Sequence, residues 1–456
     1  MNLTGEQAAA QALNAGLDVY GGWQDNLWGN GNLSAAIGAG LTSEATLDAA
    51  VRRTLTHKMS VGLFDPPASS PWASLGASDL NSSAAQRAAY DIALQGAVLL
   101  HNGADALPLR AGASLAVLGP LANDSYLYLS DYADQAIAQH HPSLLDTLRA
   151  ANHAAQTTFS IGTDGVTAAD AAAARAAVAA ARAADQIVLA LGITKVQEHE
   201  AIDRADTLLP QPQLDLAKQV LAVAAADEKP IVIVLINGGI LSVDLGELLP
   251  AAPGGDEAGG ASSARIALVE AFNPAGQGAR ALAALLFGAE NRWGKLPVTI
   301  YPKDYAATTT LQNMSFVNRS YRYYTGSPLW RFGDGLSYTT FAHNCTCGAH
   351  VGEECCCEIA NTDSARHGDE VLMLYHAAGD AVRTRAQRDH PVPLRALIDF
   401  ARVGLEPGEA TTVCFATSRE RFALTDAHGA RVVYPGEHQL IFSRGNGRET
   451  STTFML

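Results

Sequence analysis

The stretch Gln186-Ile187-Val188-Leu189-Ala190-Leu191-Gly192 runs on into Ile193-Thr194-Lys195-Val196-Gln197-Glu198-His199-Glu200-Ala201-Ile202-Asp203-Arg204. Its first part is an apolar run without polar alternation, which predicts a strand buried on both faces, as in a parallel sheet. Gly192 ends the run, and the loop that follows gathers two Glu, a His, an Asp and an Arg. Open α/β sheets bind ligands beyond the carboxyl ends of their strands, and this loop stands at such an end. A carboxyl beside apolar walls can keep its proton near neutral pH and serve as a general acid. A solvated loop in which Asp203 and Arg204 pair accounts for the same residues locally.

Working outward, strands and helices alternate. Helix 84–96 precedes a strand at 97–100, and a second strand follows at 115–118. Helix 143–151 leads to a strand near 157–161, and the Ala-rich helix 168–184 leads to the run at 186–191. Helix 213–226 precedes the strand at 231–236, and Ile266 to Phe272 leads into helix 278–287. Parallel neighbours need a crossover, so this alternation predicts an α/β fold with a doubly wound, mostly parallel sheet over 85–341. Residues 250–263, PAAPGGDEAGGASS, read as a surface insertion. Beyond Phe341 short alternating runs separated by Pro-Gly turns predict an antiparallel β-sandwich over 342–456.

At the start, residues 5–16 predict an amphipathic helix closed by Gly16. Leu17-Asp18-Val19 reads as a short strand, and a small helix follows between Gly29 and Gly40. Thr42 or Ser43 then caps a helix over 44–58, with Leu47, Val51, Leu55 and Met59 on one face. The Pro/Ser-rich segment within 66–84 reads as a linker.

At 456 residues, with 48% hydrophobic and 17% charged residues, the chain can build a sizeable core in two or three domains. A net charge of −15 argues against nucleic acid as a partner. No apolar run is long enough to span a membrane, so no membrane partner is expected. The N-terminus shows no signal peptide and opens directly in a helix, as though something upstream were missing. Sequons stand at Asn2, Asn32, Asn81, Asn123, Asn313, Asn318 and Asn344, a number that leans towards an extracellular or vacuolar protein. Five of the six cysteines fall between Cys345 and Cys357, with Cys414 beyond. A zinc clip with His343 or His350 lacks the usual spacing, so disulfides or plain thiols are favoured. Gly276 to Ala281 fits G-x-G-x-x-A, but no acidic residue follows at the ribose-binding distance; glycines there suit close helix packing better than a dinucleotide.

Taken together, the blocks ALNAGLDV (12–19), GLTSEATLDAAVRRTL (40–55), VGLFDPP (61–67), QGAVLLHNGADALPL (95–109), LAVLGPLAN (115–123), LG…EHEAIDR (191–204), GKLPVTIYP (294–302) and YRYYTG…LWRFGDGLSYTTF (321–341) resemble glycoside hydrolase family 3. The likeness is to its β-xylosidase/α-L-arabinofuranosidase branch. It implies a TIM-like barrel remnant at 1–65, a linker at 66–84, an α/β sandwich domain at 85–341 and a fibronectin type III-like domain at 342–456.

The resemblance also implies retaining hydrolysis of terminal β-D-xylosyl or α-L-arabinosyl residues in xylan-type oligosaccharides, with β-glucosidase-type specificity or a non-catalytic carbohydrate-binding role as alternatives. It places the acid/base in an E-G-x-D-R-like loop. Here that loop is Glu200-Ala201-Ile202-Asp203-Arg204, with Ala201 where many members have Gly, and Glu198 in reserve. Asp203 and Arg204 would support the loop, and Tyr132 would reach the sugar. Arg322, Tyr321, Tyr323 and Tyr324 line the cleft or, more in keeping with their character, pack a domain junction.

The attacking Asp of the family lies upstream of the ALNAGLDV block. No nucleophile is therefore assigned in this chain, neither Asp18 nor Asp25 is promoted, and the chain alone is expected to be inactive. Two carboxyls do the proton and covalent work of such a reaction, so no cofactor and no metal is implied. With its apolar helix face uncovered, segment 1–65 is expected to be loosely held.

Overall fold

The computed structural model describes residues 3–21, 27–130, 132–133, 141–152, 156–249, 265–310, 312–348, 350–388 and 390–456. Asp25, the sequon at Asn2 and the insertion at 250–263 lie outside the described residues. The chain divides into two compact units between Ser82 and Ser83, inside the stretch expected as a linker.

Among the described residues the first unit holds three α-helices: α1 (Gly5–Asn14), α2 (Asn32–Gly38) and α3 (Glu44–Ser60). Thr4 and Gln7 form a reciprocal capping box at the start of α1, and Ser43 caps α3 by accepting from the Thr46 N–H. Leu17 to Val19 is not a strand. Its β-branched and apolar side chains favour extension, but no neighbouring strand among the described residues takes up its backbone groups, and Val19 is exposed. Val51, Leu55 and Met59 on α3 are also exposed, so the apolar face read from the sequence is largely uncovered within this unit.

The second unit begins with α4 (Ser83–Gly96) and then builds a six-stranded sheet. Its elements in chain order are β1 (Val98–Asn102), β2 (Leu115–Leu118), α5 (Leu144–Ala151), β3 (Thr157–Ser160), α6 (Ala171–Ala183), β4 (Gln186–Gly192), α7 (Gln211–Ala226), β5 (Ile231–Ile236), the short α8 (Leu245–Leu248), β6 (Ile266–Glu270) and α9 (Ala275–Leu286). The strand order is β1-β6-β5-β4-β2-β3, parallel throughout except for the β1–β6 pair. All seven residues of β4 are buried, as its unbroken apolar run predicts.

Alternation along each strand divides two cores. Val188, Ala190, Val232 and Val234 face α4, α5 and α9 through Leu94, Leu148 and Leu282. Ile187, Leu189, Ile231 and Ile233 face α6 and α7 through Ala177, Leu216 and Val220. Parallel strands force the crossover helices onto both faces, and both faces must then be apolar. Gly276 and Gly278, in the first turn of α9, leave space filled by His141 and Pro274; a Cβ on either glycine would run into those side chains. The glycine spacing serves packing.

After a one-turn helix, α10 (Ser320–Tyr323), the chain forms a β-sandwich. The three-stranded sheet has β7 (Phe341–Cys347), β8 (Glu354–Asn361) and β11 (Ala410–Ala416). The facing sheet has four antiparallel strands: β9 (Gly368–Ala378), β10 (Ala396–Leu405), β14 (Glu437–Ser443) and β15 (Glu449–Met455). Between β11 and β14 in the chain, β12 (Leu424–Thr425) and β13 (Arg431–Val432) make a separate small ribbon. Leu372, Leu374, Phe415 and Phe442 fill the space between the two larger sheets. All six cysteines are paired across the three-stranded sheet, Cys345–Cys357, Cys347–Cys355 and Cys356–Cys414, each bridge joining residues that are register partners. Alternation sends Cys355 and Cys357 to the core and Cys356 to the other face, which is why three consecutive residues can serve two different neighbouring strands.

The α/β part and the sandwich are joined by a buried charge cluster. Glu370 on β9 takes Lys295 at 3.1 Å and Arg444 at 3.0 Å, and Lys295 also donates to the Gly335 and Arg444 carbonyls. Removing Glu370 leaves two cations buried without a counter-charge, which costs more than the pairing itself contributes. Glu370→Leu should therefore destabilise the second unit by about 3–5 kcal/mol, read from its denaturant midpoint. A midpoint shift worth less than about 1 kcal/mol would show that this cluster does not hold the junction.

Candidate functional site

The site forms where β4, β5 and β6 end. At the end of β4, Gly192 passes so close to β5 that a Cβ would collide with the Ile236 carbonyl oxygen. Only glycine permits that approach. The chain then turns over Thr194, whose amide and hydroxyl both donate to the Gln197 side-chain oxygen, while the Gln197 and Glu198 amides return to the Thr194 carbonyl.

Residues 199–202 make a tight turn closed by reciprocal backbone bonds, Ile202 N–H to the His199 carbonyl at 2.9 Å and His199 N–H to the Ile202 carbonyl at 3.3 Å. Glu200 and Ala201 are its central pair. Ala201 has φ +68°, the left-handed conformation that type II turns reserve for glycine at their third position. The sequence departure at this residue thus falls where a Cβ is least welcome. Ala201→Gly should relieve the strain and stabilise the second unit by about 0.5–1 kcal/mol in denaturant titration, since the left-handed form costs an L-residue about 1–2 kcal/mol and the extra freedom of unfolded glycine returns part of it. A destabilisation would mean the methyl group has a contact that outweighs its strain.

The loop is held by Glu198, not by Asp203. Arg204 Nε donates to Glu198 Oε2 at 2.7 Å, and Arg204 Nη2 donates to the Ile240 carbonyl at 2.9 Å. The expected Asp203–Arg204 pair does not form: Asp203 is exposed, whereas Arg204 turns inward towards the β5 loop. Glu198 also packs on Gly239, where a Cβ would overlap its carboxylate. Glu200 is exposed and makes no side-chain hydrogen bond or ion pair among the described residues.

Glu198, His199 and Glu200 share an open hollow of about 250 Å³ with Tyr132, Lys195 and Asn273. The structure thus brings together both candidate carboxyls and Tyr132, which is exposed at the rim. Asn273 and Gly238 were not anticipated. They follow β6 and β5, so the strand-end rule applied at Gly192 would have found them. Lys195 reaches the Tyr126 hydroxyl at 2.6 Å and lies over its ring. Tyr321 is not in the hollow. It stacks on Phe332 at 4.3 Å and meets Tyr375 edge-on at the junction with the sandwich.

Beneath the site lies Glu270, at the end of β6 and wholly buried. Its Oε1 accepts from the Phe272 N–H, while Oε2 has no partner among the described residues. Burial, only partly offset by the Phe272 N–H and the Asn237 amide, pushes its carboxyl up to about 8. Asn237 in turn donates to the Gly239 carbonyl at 2.9 Å, on the turn against which Glu198 packs. An acid whose folded pKa is raised binds more protons folded than unfolded between about 4.5 and 8, so it lowers stability as pH rises through that window. Glu270→Gln should remove that decline, which amounts to about 1.4 kcal/mol per pH unit when fully expressed, in denaturant titrations at pH 5, 6, 7 and 8. Parallel pH curves for the two proteins would place the Glu270 proton elsewhere.

Residues 97–338 match the Glycosyl hydrolase family 3 C-terminal domain, and residues 370–444 match the Fibronectin type III-like domain. Beta-D-xylosidase 1 of Arabidopsis thaliana is 36% identical over 349 residues, covering 75% of this chain and 42% of its own length. Exo-1,4-beta-xylosidase bxlB of Emericella nidulans is 30% identical over 467 residues, covering 96% of this chain and 56% of its own. The chain spans about half the length of the curated relatives it matches. Among solved structures, the GH3 exo-beta-xylosidase XlnD in complex with a xylobiose aziridine activity based probe superposes with a TM-score of 0.81 at 28% identity, over 99% of this chain and 58% of that one. A beta-glucosidase from Listeria innocua in complex with isofagomine gives 0.79 at 26%, over 99% and 60%.

Proposed function

Because this chain belongs to glycoside hydrolase family 3, we propose that it carries the acid/base half of a retaining glycosidase acting on terminal β-D-xylosyl or α-L-arabinosyl residues of xylan-type oligosaccharides. One observation carries the assignment: of two carboxyls on one open hollow, Glu198 is bound to Arg204, while Glu200 stands unpaired at a turn tip. A general acid must be free to give its proton to the leaving oxygen, and a carboxylate clasped by a guanidinium is poorly suited to that. Tyr132 on the rim is the residue we assign to sugar contact, and Arg204 supports the loop through Glu198. The relatives named as xylosidases favour xylose, whereas the beta-glucosidases among the structural neighbours favour glucose as a second reading. Rates on nitrophenyl β-D-xyloside, α-L-arabinoside and β-D-glucoside separate the two.

A retaining mechanism needs a second carboxyl roughly 5–5.5 Å from the first to attack the anomeric carbon. We assign that group to no residue of this chain; in the family pattern it sits on a barrel strand preceding residues 12–19. Three disulfides and the exposed sequon residues Asn81, Asn123, Asn313, Asn318 and Asn344 support an oxidising, extracellular or vacuolar setting. Among the described residues no helix is long and apolar enough to cross a membrane.

The test uses this chain alone and the same chain joined to an N-terminal family barrel. The chain alone should not turn over an aryl xyloside. In the joined polypeptide, Glu200→Gln should lower kcat/KM on xylobiose by about 10²–10⁴-fold, and by much less on a dinitrophenyl xyloside, whose leaving group needs no proton in the step that kcat/KM reports. Equal losses on both substrates, or ordinary turnover by the chain alone, would overturn the assignment.

A further inference from the structure

A second hollow, of about 440 Å³, lies where α10 meets the edge of the β-sandwich, and it shares no residue with the hollow around Glu200. Among the described residues its wall carries Arg322, Arg421 and Arg431 against one acid, Glu420. Arg421 is paired with Asp399 at 2.7 Å. Arg322 and Arg431 have no carboxylate partner among the described residues. The Arg322 guanidinium stands 5.7 Å from the Tyr323 ring centroid, and its Nε is buried without an acceptor among the described residues. Arg431 makes one side-chain bond there, to the Glu420 carbonyl at 3.2 Å. His376 also lines the hollow, but burial, then His438 and Arg431, push its imidazole down to about 3, so it is neutral and adds no charge.

The wall therefore keeps a positive excess on a chain whose net charge is −15. The Nε of Arg322 is enclosed, but its two Nη groups make no hydrogen bond among the described residues, and no wall group accepts from them. An entering oxyanion would. Guanidinium groups match a carboxylate in plane and spacing, with two parallel N–H donors. The volume is that of a small-molecule site, larger than a bare inorganic anion needs, and Leu397, Ile398 and Leu424 give it apolar wall for a ring to lie against.

We propose that this hollow binds a carboxylate-bearing sugar, a hexuronate unit, with Arg322 as its chief partner and Arg431 engaging it from the exposed side. The choice of a sugar acid over another organic acid rests on the carbohydrate reading of the chain; the need for an anion does not. Hydrolysis at Glu200 and binding here are read by different experiments, so either can fail alone.

Calorimetric titration of the 456-residue chain with glucuronate, glucose and inorganic phosphate tests this at constant ionic strength. Glucuronate should bind at one site, glucose should give no binding heat, and phosphate should bind at least about tenfold more weakly than glucuronate. Arg322→Gln should weaken glucuronate by about tenfold or more, the loss expected for one charge-assisted hydrogen bond. Arg431→Gln alters an exposed side chain whose one hydrogen bond among the described residues is to the Glu420 carbonyl, and should also weaken binding, which keeps the test sound if the first variant does not fold. Glucuronate giving no more heat than glucose, phosphate binding as tightly as glucuronate, or undiminished glucuronate binding in the Arg431 variant would each overturn the proposal.

Discussion

The candidate site depends on one ion pair, Arg204 Nε to Glu198 Oε2 at 2.7 Å. The loop after β4 has no regular structure to fix it, and its tip is strained at Ala201. The clasp ties the two sides of that tip together across six residues, and the second bond from Arg204, to the Ile240 carbonyl, fastens them to the loop after β5. Arg204 is largely shielded from solvent while Glu198 is partly exposed, so the pair is screened less than a surface bridge. With Glu198 committed to holding the loop, Glu200 is left at the turn with no competing partner among the described residues.

The sheet makes this arrangement possible. Parallel strands deliver their carboxyl ends to one edge, so the loops after β4, β5 and β6 converge there without further design. Gly192 lets β4 leave the sheet close against β5, and Glu270, buried at the end of β6, sits below the turn that carries Asn237 and Gly239. Keeping an acid in that place costs stability as pH rises. It is a feature of the floor of the site and not of its open rim.

Much of the fold was legible because buried strands and amphipathic helices differ in period. The run at 231–236 and the run at 115–118 became strands over those same residues. The alternating texture beyond Phe341 became two antiparallel sheets. Leu17 to Val19 failed because a strand needs a partner, and pairing at a distance leaves no mark in three residues. The carboxyls and Tyr132 could be placed through a resemblance that fixes the order of blocks, and they do share one hollow. The partner of Arg204 could not be read. Asp203 is adjacent in sequence, but the direction of each side chain is set by the turn at 199–202, whose closure depends on backbone bonds rather than on residue type. Arg322 was singled out without its surroundings, since an unsatisfied guanidinium is visible only once the sandwich is packed around it.

In the proposed assignment two nearby carboxyls divide the labour, one holding the loop and one giving the proton, and the pH dependence of kcat/KM tests that division most directly. Glu198→Gln and Glu200→Gln are compared in this chain joined to a family barrel, on a substrate whose leaving group needs protonation. A general acid fails when it loses its proton, so it produces the fall in rate on the alkaline side. That alkaline limb should persist, at reduced rate, in the Glu198 variant and disappear in the Glu200 variant. The opposite result, an alkaline limb kept without Glu200 and lost without Glu198, would contradict the division.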